Sequence, residues 1–569
     1  MTISEEVSEL STLLDDPNTI LRPAEIVMEP TNLGAVRMTR FSFSRSMIRR
    51  AFTNNWEINC QVVDFDEFGC GHIIYRILAE GKIFHFVAFT STIDEALHTD
   101  RVIADVWDVT AALVEGEMDD DFLRLLKNEV PKQELSRLDP RVLVLTRGNR
   151  SVRFYDYLVE RLASGKQPES KKLGDAGYIM RSTAFYGNGK FGMRSFLGFE
   201  DQHPLSSPYR AQFLAAWLFR EVSYKSVEHC AKIKNPNAVG FNDEWSRFFG
   251  LGNATGLGLV PWAMKHPEEL NAWIAIRELA LSNVRSLAGS TKNKQILEEW
   301  IDKAYQYFSS LGGDDRSPWM GPQSLAKATL LTQDTFRSLS GNPFPFDDLY
   351  LWAEKQNIEI TELVISLLLE LDDTRDEVID ELLKVDTEKK SNLNTTVKDI
   401  KTIITEKYFW LKELNLDGAE AEHYWWVMSD NAEEPRRAER SIINPAHREI
   451  PIDISLRINK LIKDLEITDE KISASEFLHS FPEHGIAIKR ILRNSGPYSE
   501  PRENVCDFKH LPLNLQRFQL AMYGMDNFSP QSTDWLRVTL FQGAPRVSEI
   551  GSYDSDNWIL PKQPGGLIQ

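Results

Sequence analysis

Gly71-His72-Ile73-Ile74-Tyr75-Arg76-Ile77-Leu78-Ala79-Glu80-Gly81-Lys82-Ile83-Phe84-His85-Phe86-Val87-Ala88-Phe89-Thr90 decides the fold class. β-Branched and aromatic residues crowd both halves of this stretch, and such side chains fit a pleated, half-buried surface. Glu80-Gly81-Lys82 breaks it, and Phe68-Gly69-Cys70-Gly71 separates it from a similar run over 56–65. Residues 56–90 therefore read as an antiparallel meander. Leu143-Val144-Leu145 begins a further element, and Val152, Tyr155, Leu158, Val159 and Leu162 then recur at helical spacing before Gly165.

Beyond position 206 the period changes. Phe213, Leu214, Trp217, Leu218 and Val222 place one apolar stripe on a long helix, and Pro267 opens another that carries Leu270, Trp273, Ile274, Leu281 and Val284. Leu363, Val364, Leu367, Leu371, Val378, Leu382 and Leu383 predict a single helix over 360–384. The expected fold class is α+β: a predominantly α-helical body with a smaller antiparallel sheet in the N-terminal third. Turn chemistry at Gly312-Gly313 and Asn342-Pro343 suggests three regions, 1–170 (mixed, with the meander), 171–345 (glycine segments and helices) and 346–569 (mainly helical).

Composition bounds the function. The chain has 569 residues, 42% of them apolar and 26% charged, which is ordinary globular usage. A net charge of −19 opposes binding to nucleic acid or an anionic membrane. Cys60, Cys70, Cys230 and Cys506 are too scattered for a disulfide framework or a thiolate zinc site, so a reducing compartment is expected. Met1-Thr2-Ile3-Ser4-Glu5-Glu6 opens acidic rather than as a basic-then-apolar leader, and no apolar run is long enough to span a bilayer. These readings predict a cytoplasmic protein.

Two glycine-dense segments carry the strongest functional signal: Tyr186-Gly187-Asn188-Gly189-Lys190-Phe191-Gly192 and Gly250-Leu251-Gly252-Asn253-Ala254-Thr255-Gly256-Leu257-Gly258. Glycines let successive backbone N–H groups turn toward a negative charge. The first segment is a literal G-x-G-x-x-G, but glycine and proline punctuate 193–204, where a dinucleotide fold needs a helix. Kinase signatures are missing from the sequence, and the second segment lacks the Lys-Ser/Thr ending of a phosphate loop. What remains is an anion-binding pair of turns, with Lys190, Arg181, Asn188 and Gly189 from the first and Asn253 and Thr255 from the second. Plain turns and close packing of backbone account for the same glycines.

His423-Tyr424-Trp425-Trp426 followed by Glu433-Glu434-Pro435-Arg436-Arg437 supplies an aromatic wall, an acid/base group and a carboxylate clamp in one stretch. Here Trp426, Glu433 and Arg436 are the candidates, and an aromatic core strand running into a charged turn is the plainer account. Glu228-His229 offers a second proton carrier on a helix. His479, Glu483 and His484 flank Pro482, so no paired-histidine zinc helix is available, and no metal ligand set is assigned.

Asp372-Asp373-Thr374-Arg375-Asp376 resembles the aspartate-rich D-D-x-x-D of the terpene and prenyl-diphosphate synthase family, which binds magnesium diphosphate. The resemblance covers five residues. Its second motif should follow in the chain, whereas the nearest partial match, Asn242-Asp243-Glu244-Trp245-Ser246, precedes it. An acidic face on an amphipathic helix explains the run more simply. Conversely, Arg37, Arg40, Arg45, Arg49 and Arg50 are interleaved with aromatics and carry no acidic neighbour, as in a strip that tracks phosphates, pairs with acidic residues or meets a second subunit.

The expectation drawn from all this is a cytoplasmic enzyme acting on a small anionic metabolite by side-chain acid/base chemistry, a lyase or hydrolase. Glu433, Lys190 and His229 are its catalytic candidates, and Arg181, Asn188, Gly189, Asn253, Thr255, Arg436 and Trp426 its substrate-binding candidates. No nucleic acid or membrane partner is expected, a homo-oligomer is possible, and the cofactor is unknown. A non-catalytic binding or assembly protein, or an enzyme holding a flavin not visible in sequence, are the alternatives.

Overall fold

The computed structural model describes residues 2–16, 19–94, 106–133, 138–173, 177–187, 203–253, 267–313, 315, 319–383, 392–409, 424–425, 454–493, 498–499, 505–506, 511–524, 538–552 and several positions between 556 and 564. It is 55% helical around one large sheet, which makes the fold α+β. The chain divides into two compact units. One comprises Met1–Val36, Leu259–Asn283 and Glu377–Gln519, and the sheet-bearing one comprises Arg37–Gly258, Val284–Asp376 and Leu520–Gln569.

Eight strands form the large sheet in the order β1 (Glu57–Phe65), β2 (Gly71–Ala79), β3 (Lys82–Thr90), β4 (Val109–Glu115), β5 (Val142–Arg150), β6 (Tyr178–Gly187), β7 (Gly250–Asn253) and β10 (Val538–Leu540). A two-stranded ribbon in the other unit pairs β8 (Tyr424–Trp425) with β9 (Val505–Cys506). The helices used below are, in chain order, α1 (Phe43–Thr53), α2 (Asp120–Glu129), α3 (Tyr155–Ala163), α4 (Arg210–Lys234), α5 (Pro267–Arg285), α6 (Thr291–Ser310), α7 (Ile358–Leu368), α8 (Asp376–Leu383), α9 (Val397–Lys407), α10 (Ile454–Glu466), α11 (Ala474–Ser480) and α12 (Gly485–Arg493).

The meander turns fall at the glycines expected from the sequence. Glu80 and Gly81 take φ of 50° and 82° between β2 and β3, and Gly69 takes 73° between β1 and β2. β3 and β4 are buried along almost their whole length because helices cover both faces. On one face Phe122 and Leu126 of α2 pack with Ile74, Val87, Phe89, Ala112 and Leu145. On the other lies α4, whose residues from Arg210 to Tyr224 are all buried. This helix is buried nearly all round, Arg220 and Glu221 included, so its single expected stripe understates its burial.

Two features depart from the expected antiparallel sheet. β6 and β7 run parallel, joined through α4 as a β–α–β unit, and β10 arrives from near the chain end to pair with β7. Arg220, fully buried on α4, fastens that arrival by donating to the carbonyls of Ala544 (2.7 Å) and Pro545 (3.0 Å) as well as Phe249 (2.7 Å). Glu221 pairs with Arg546 at 2.7 Å beside it.

The helix expected over 360–384 is broken. α7 ends in a 3-10 turn, residues 372–375 leave helical geometry, and α8 restarts at Asp376. Asp372 causes the break by accepting from the Thr374 N–H and hydroxyl, both at 3.1 Å, an aspartate turn that competes with helix. Its partners also explain the arginine strip. Arg37 meets Glu359 (3.4 Å), Arg40 meets Asp372 (2.9 Å), Arg45 meets Glu370 (2.7 Å), Arg49 meets Asp376 (2.6 Å) and Asp556 (3.3 Å), and Arg50 meets Glu80 (2.6 Å). Arg40 and Arg49 thus pair with the aspartate-rich run, and the other arginines of the strip with glutamates of the same unit.

In the other unit Thr396 and Ser473 cap α9 and α11 through reciprocal capping boxes and form an antiparallel bridge with each other. Val397, Ile400, Ile458, Leu461, Phe477 and Ile488 make a core among α9–α12. Elsewhere in that unit Arg22 forks onto Glu278 of α5 at 2.6 and 2.8 Å, both groups buried.

Removing one partner of a buried ion pair leaves the other uncompensated, at a cost of about 3–5 kcal/mol. Arg45→Met is therefore expected to lower unfolding stability by about that amount, read by urea denaturation. For Asp376, burial works to raise the carboxyl, but the charge and hydrogen bonds of Arg49 outweigh it and hold it below its ordinary value. A depressed carboxyl contributes stability above the ordinary range near about pH 4 that is lost as pH falls. Burial instead raises Asp372 despite Arg40. Its contribution has the opposite sign, so Asp376→Asn flattens the acid limb of the stability profile and Asp372→Asn does not.

Candidate functional site

The two glycine-dense segments follow neighbouring strands and leave them at different levels of the sheet. β6 ends at Gly187 and β7 at Asn253, and the two strands are parallel with Arg181 opposite Gly252 and Ser182 opposite Asn253. They are the one parallel pair among the described strands. β6 runs five residues past Ser182, the partner of Asn253, before it reaches its own carboxyl end at Gly187. Ligands of open β–α–β sheets bind outside such carboxyl ends. α4 runs back against β6, since its last turns reach the opposite end of the sheet, so its amino-terminal turn and partial positive charge belong to this same end.

Two glycines of the second segment have structural work. A Cβ at Gly250 would lie 2.2 Å from the Leu540 carbonyl oxygen of β10, and one at Gly252 would lie 2.9 Å from both Arg181 Cγ and the Tyr178 ring. At these two positions β7 is threaded between β6 and β10 too closely for a side chain. Arg181 is half-buried against Gly252, and Arg153 reaches the Tyr178 hydroxyl at 3.0 Å.

A histidine that sequence reasoning passed over stands at this end. His203 is where the described chain resumes after 188–202, and it is 2% exposed. Its Nδ1 accepts from the Leu205 N–H at 3.1 Å, so Nε2 carries the proton toward Glu115 Oε1 at 3.4 Å. Glu115 closes β4 and also lies 3.8 Å from Lys82 Nζ. The signal available in the sequence was position alone, Gln202-His203-Pro204 directly beyond the first glycine segment.

The other candidates are distributed as follows. Arg181 and the backbone of Asn253 are brought together on β6 and β7. His229 is on the last turns of α4, at the opposite end of the sheet, with Nε2 bonded to the Asp66 carbonyl at 3.0 Å and its ring edge-on to Phe65. Lys190, Asn188, Gly189, Thr255, Trp426, Glu433 and Arg436 lie outside the described residues.

Two further features are ruled out as the substrate site on their dimensions and partners. A cavity among Met38, Tyr307, Phe541, Gln542 and Trp558 has a volume of about 30 Å³, room for about one water. Asp464, Glu483 and His484 converge within 4.8 Å, but His484 is already bonded to Asp464 at 2.7 Å, and Lys460 holds Glu483 at 3.2 Å. That group reads as a tie between α10 and the turn before α12.

No family model, no curated protein and no solved structure matches the chain. No helix among the described residues is long and apolar enough to cross a membrane.

Gly250→Ala is expected to destabilise the protein by about 1–3 kcal/mol through overpacking against β10. The loss should be the same with or without added anions, as measured by thermal denaturation. A loss that added anions reverse would show that Gly250 serves a ligand instead.

Proposed function

We propose that the protein is an enzyme acting on a small anionic metabolite, bound beyond the carboxyl ends of β6 and β7. One observation carries this reading: the two glycine-dense segments, sixty residues apart in sequence, follow β6 and β7, the only parallel pair among the described strands. Glycine-rich backbone and the first turn of a helix such as α4 favour an anion, and Lys190 and Arg181 are the proposed cations. Acid/base chemistry of the lyase or hydrolase kind is the proposed reaction, and from their residue types Glu433 is the proposed proton carrier, Arg436 an anion clamp and Trp426 an aromatic contact. His229 sits too far along the sheet to share that role. A cytoplasmic location and the absence of a nucleic-acid partner accord with the acidic charge and with arginines 37–50 facing carboxylates of their own unit.

A packing account competes with this one, and Gly250 and Gly252 favour it because neighbouring strands occupy the space their side chains would need. A thermal-shift screen with inorganic phosphate, small carboxylates and nucleotides separates the two. A ligand at a hundred times its Kd stabilises by about 2.7 kcal/mol. The expected result is a shift with at least one anion that Lys190→Ala and Arg181→Met each abolish. Any hit is then followed by NMR for conversion, which Glu433→Gln should stop. Silence across the panel, or shifts that survive both substitutions, would sink the proposal.

A further inference from the structure

The end of the sheet at the β1–β2 turn carries a second cluster of reactive groups. β1 returns into β2 through a tight turn in which Asp66 Oδ1 accepts from the N–H groups of Phe68 and Cys70, both at 2.8 Å. Cys230 of α4 is seated on that turn: a Cβ placed on Gly69 would lie only 2.8 Å from the Cys230 Sγ. The bond from His229 Nε2 to the Asp66 carbonyl fixes the same contact one residue earlier on the helix. Cys70 follows Gly69 directly, and consecutive Cα atoms are about 3.8 Å apart. Arg150 interacts with both thiols, so the turn and α4 bring Cys70 and Cys230 to one guanidinium.

The surroundings suit thiol chemistry. Ser226 Oγ and the Tyr155 hydroxyl are 2.5 Å apart, and that hydroxyl is 3.6 Å from Cys230 Sγ, so a donor chain can end on a thiolate. Arg150 closes β5 beside them. Its Nη2 donates to the Gly69 carbonyl at 3.2 Å, its guanidinium stands 4.8 Å over the Tyr155 ring, and its buried Nε has no partner. Burial works against that charge, yet interaction with Tyr155, Asp108 and both thiols holds the guanidinium charged. Cys70 and Cys230 are both partly exposed and both free.

We infer that Cys70 and Cys230 are an oxidation site, a thiol pair that hydrogen peroxide converts into an intramolecular disulfide joining the β1–β2 turn to α4. The Cys230 thiolate attacks one peroxide oxygen, the O–O bond breaks, and the second oxygen leaves as hydroxide and takes up a proton as water. The resulting sulfenic acid is attacked at sulfur by the Cys70 thiolate, forming the S–S bond and releasing a second water. Two thiols lose two electrons and two protons, and one peroxide becomes two waters. Arg150 and Tyr155 act by placing a positive charge and a hydroxyl beside the sulfur at which oxidation begins.

The test uses the full chain carrying Cys60→Ser and Cys506→Ser, which leaves two titratable thiols. Stoichiometric peroxide should remove both, keep the protein at monomer mobility on a non-reducing gel, and yield a linked Cys70–Cys230 peptide that dithiothreitol separates. Arg150→Met, with its fold confirmed by circular dichroism, should slow thiol loss several-fold. Retention of both thiols would overturn the inference, as would over-oxidation of one with the other left free, or a link formed only between chains. An unchanged rate in Arg150→Met would remove the guanidinium from the account.

Discussion

Buried guanidinium groups that must be met by carboxylates are the constraint on which the sheet-bearing unit depends. Arg45 is fully buried, and taking its charge out of water is tolerable only because Glu370 lies at 2.7 Å with Asp556 at 3.5 Å. The arginine comes from α1, Glu370 from the turn after α7, and Asp556 from near the chain end. Three stretches remote in sequence are thereby bound to one another's positions. Arg49 repeats the arrangement with Asp376 and Asp556. A hydrophobic contact would allow sliding, whereas forked ionic hydrogen bonds admit one register.

The same logic governs how the sheet is completed. β10 joins β7 only if residues 544–546 are held over α4, and Arg220 and Glu221 do this with a carbonyl cluster and a second buried ion pair. Once β10 and β6 flank it, β7 has no room for side chains at Gly250 and Gly252. What looked like ligand-binding glycine is partly the consequence of strand spacing. Gly187 ends β6, and the glycines beyond it and beyond Asn253 lie outside the described residues. Their sequence position after a parallel pair, rather than glycine content, is what supports the proposed anion site.

Much of this was legible in the residues. The meander was readable because β-branched runs and Gly81 and Gly69 carry local information about strand and turn. The helices at Tyr155, Arg210 and Pro267 were readable because a 3.6-residue stripe is also local. The single helix over 360–384 was not, since its apolar period runs on through a break made by the Asp372 side chain. The aspartate-rich run and the arginine strip each suggested a phosphate partner when read alone. Neither segment contains the information that the other is its counter-charge.

By itself, then, the sequence determined the α+β class, the positions of most local elements, the acidic balance, and that Arg181 and the two glycine segments were worth attention. Tertiary structure alone decided that β6 and β7 are parallel neighbours, that His203 meets Glu115 while His229 goes to the far end, and that Cys230 rests on the turn carrying Cys70. The physical reason is range. Periodicity and turn chemistry act over a few residues and are written where they act, whereas ion pairs, strand neighbours and thiol contacts join residues that only the folded chain brings together.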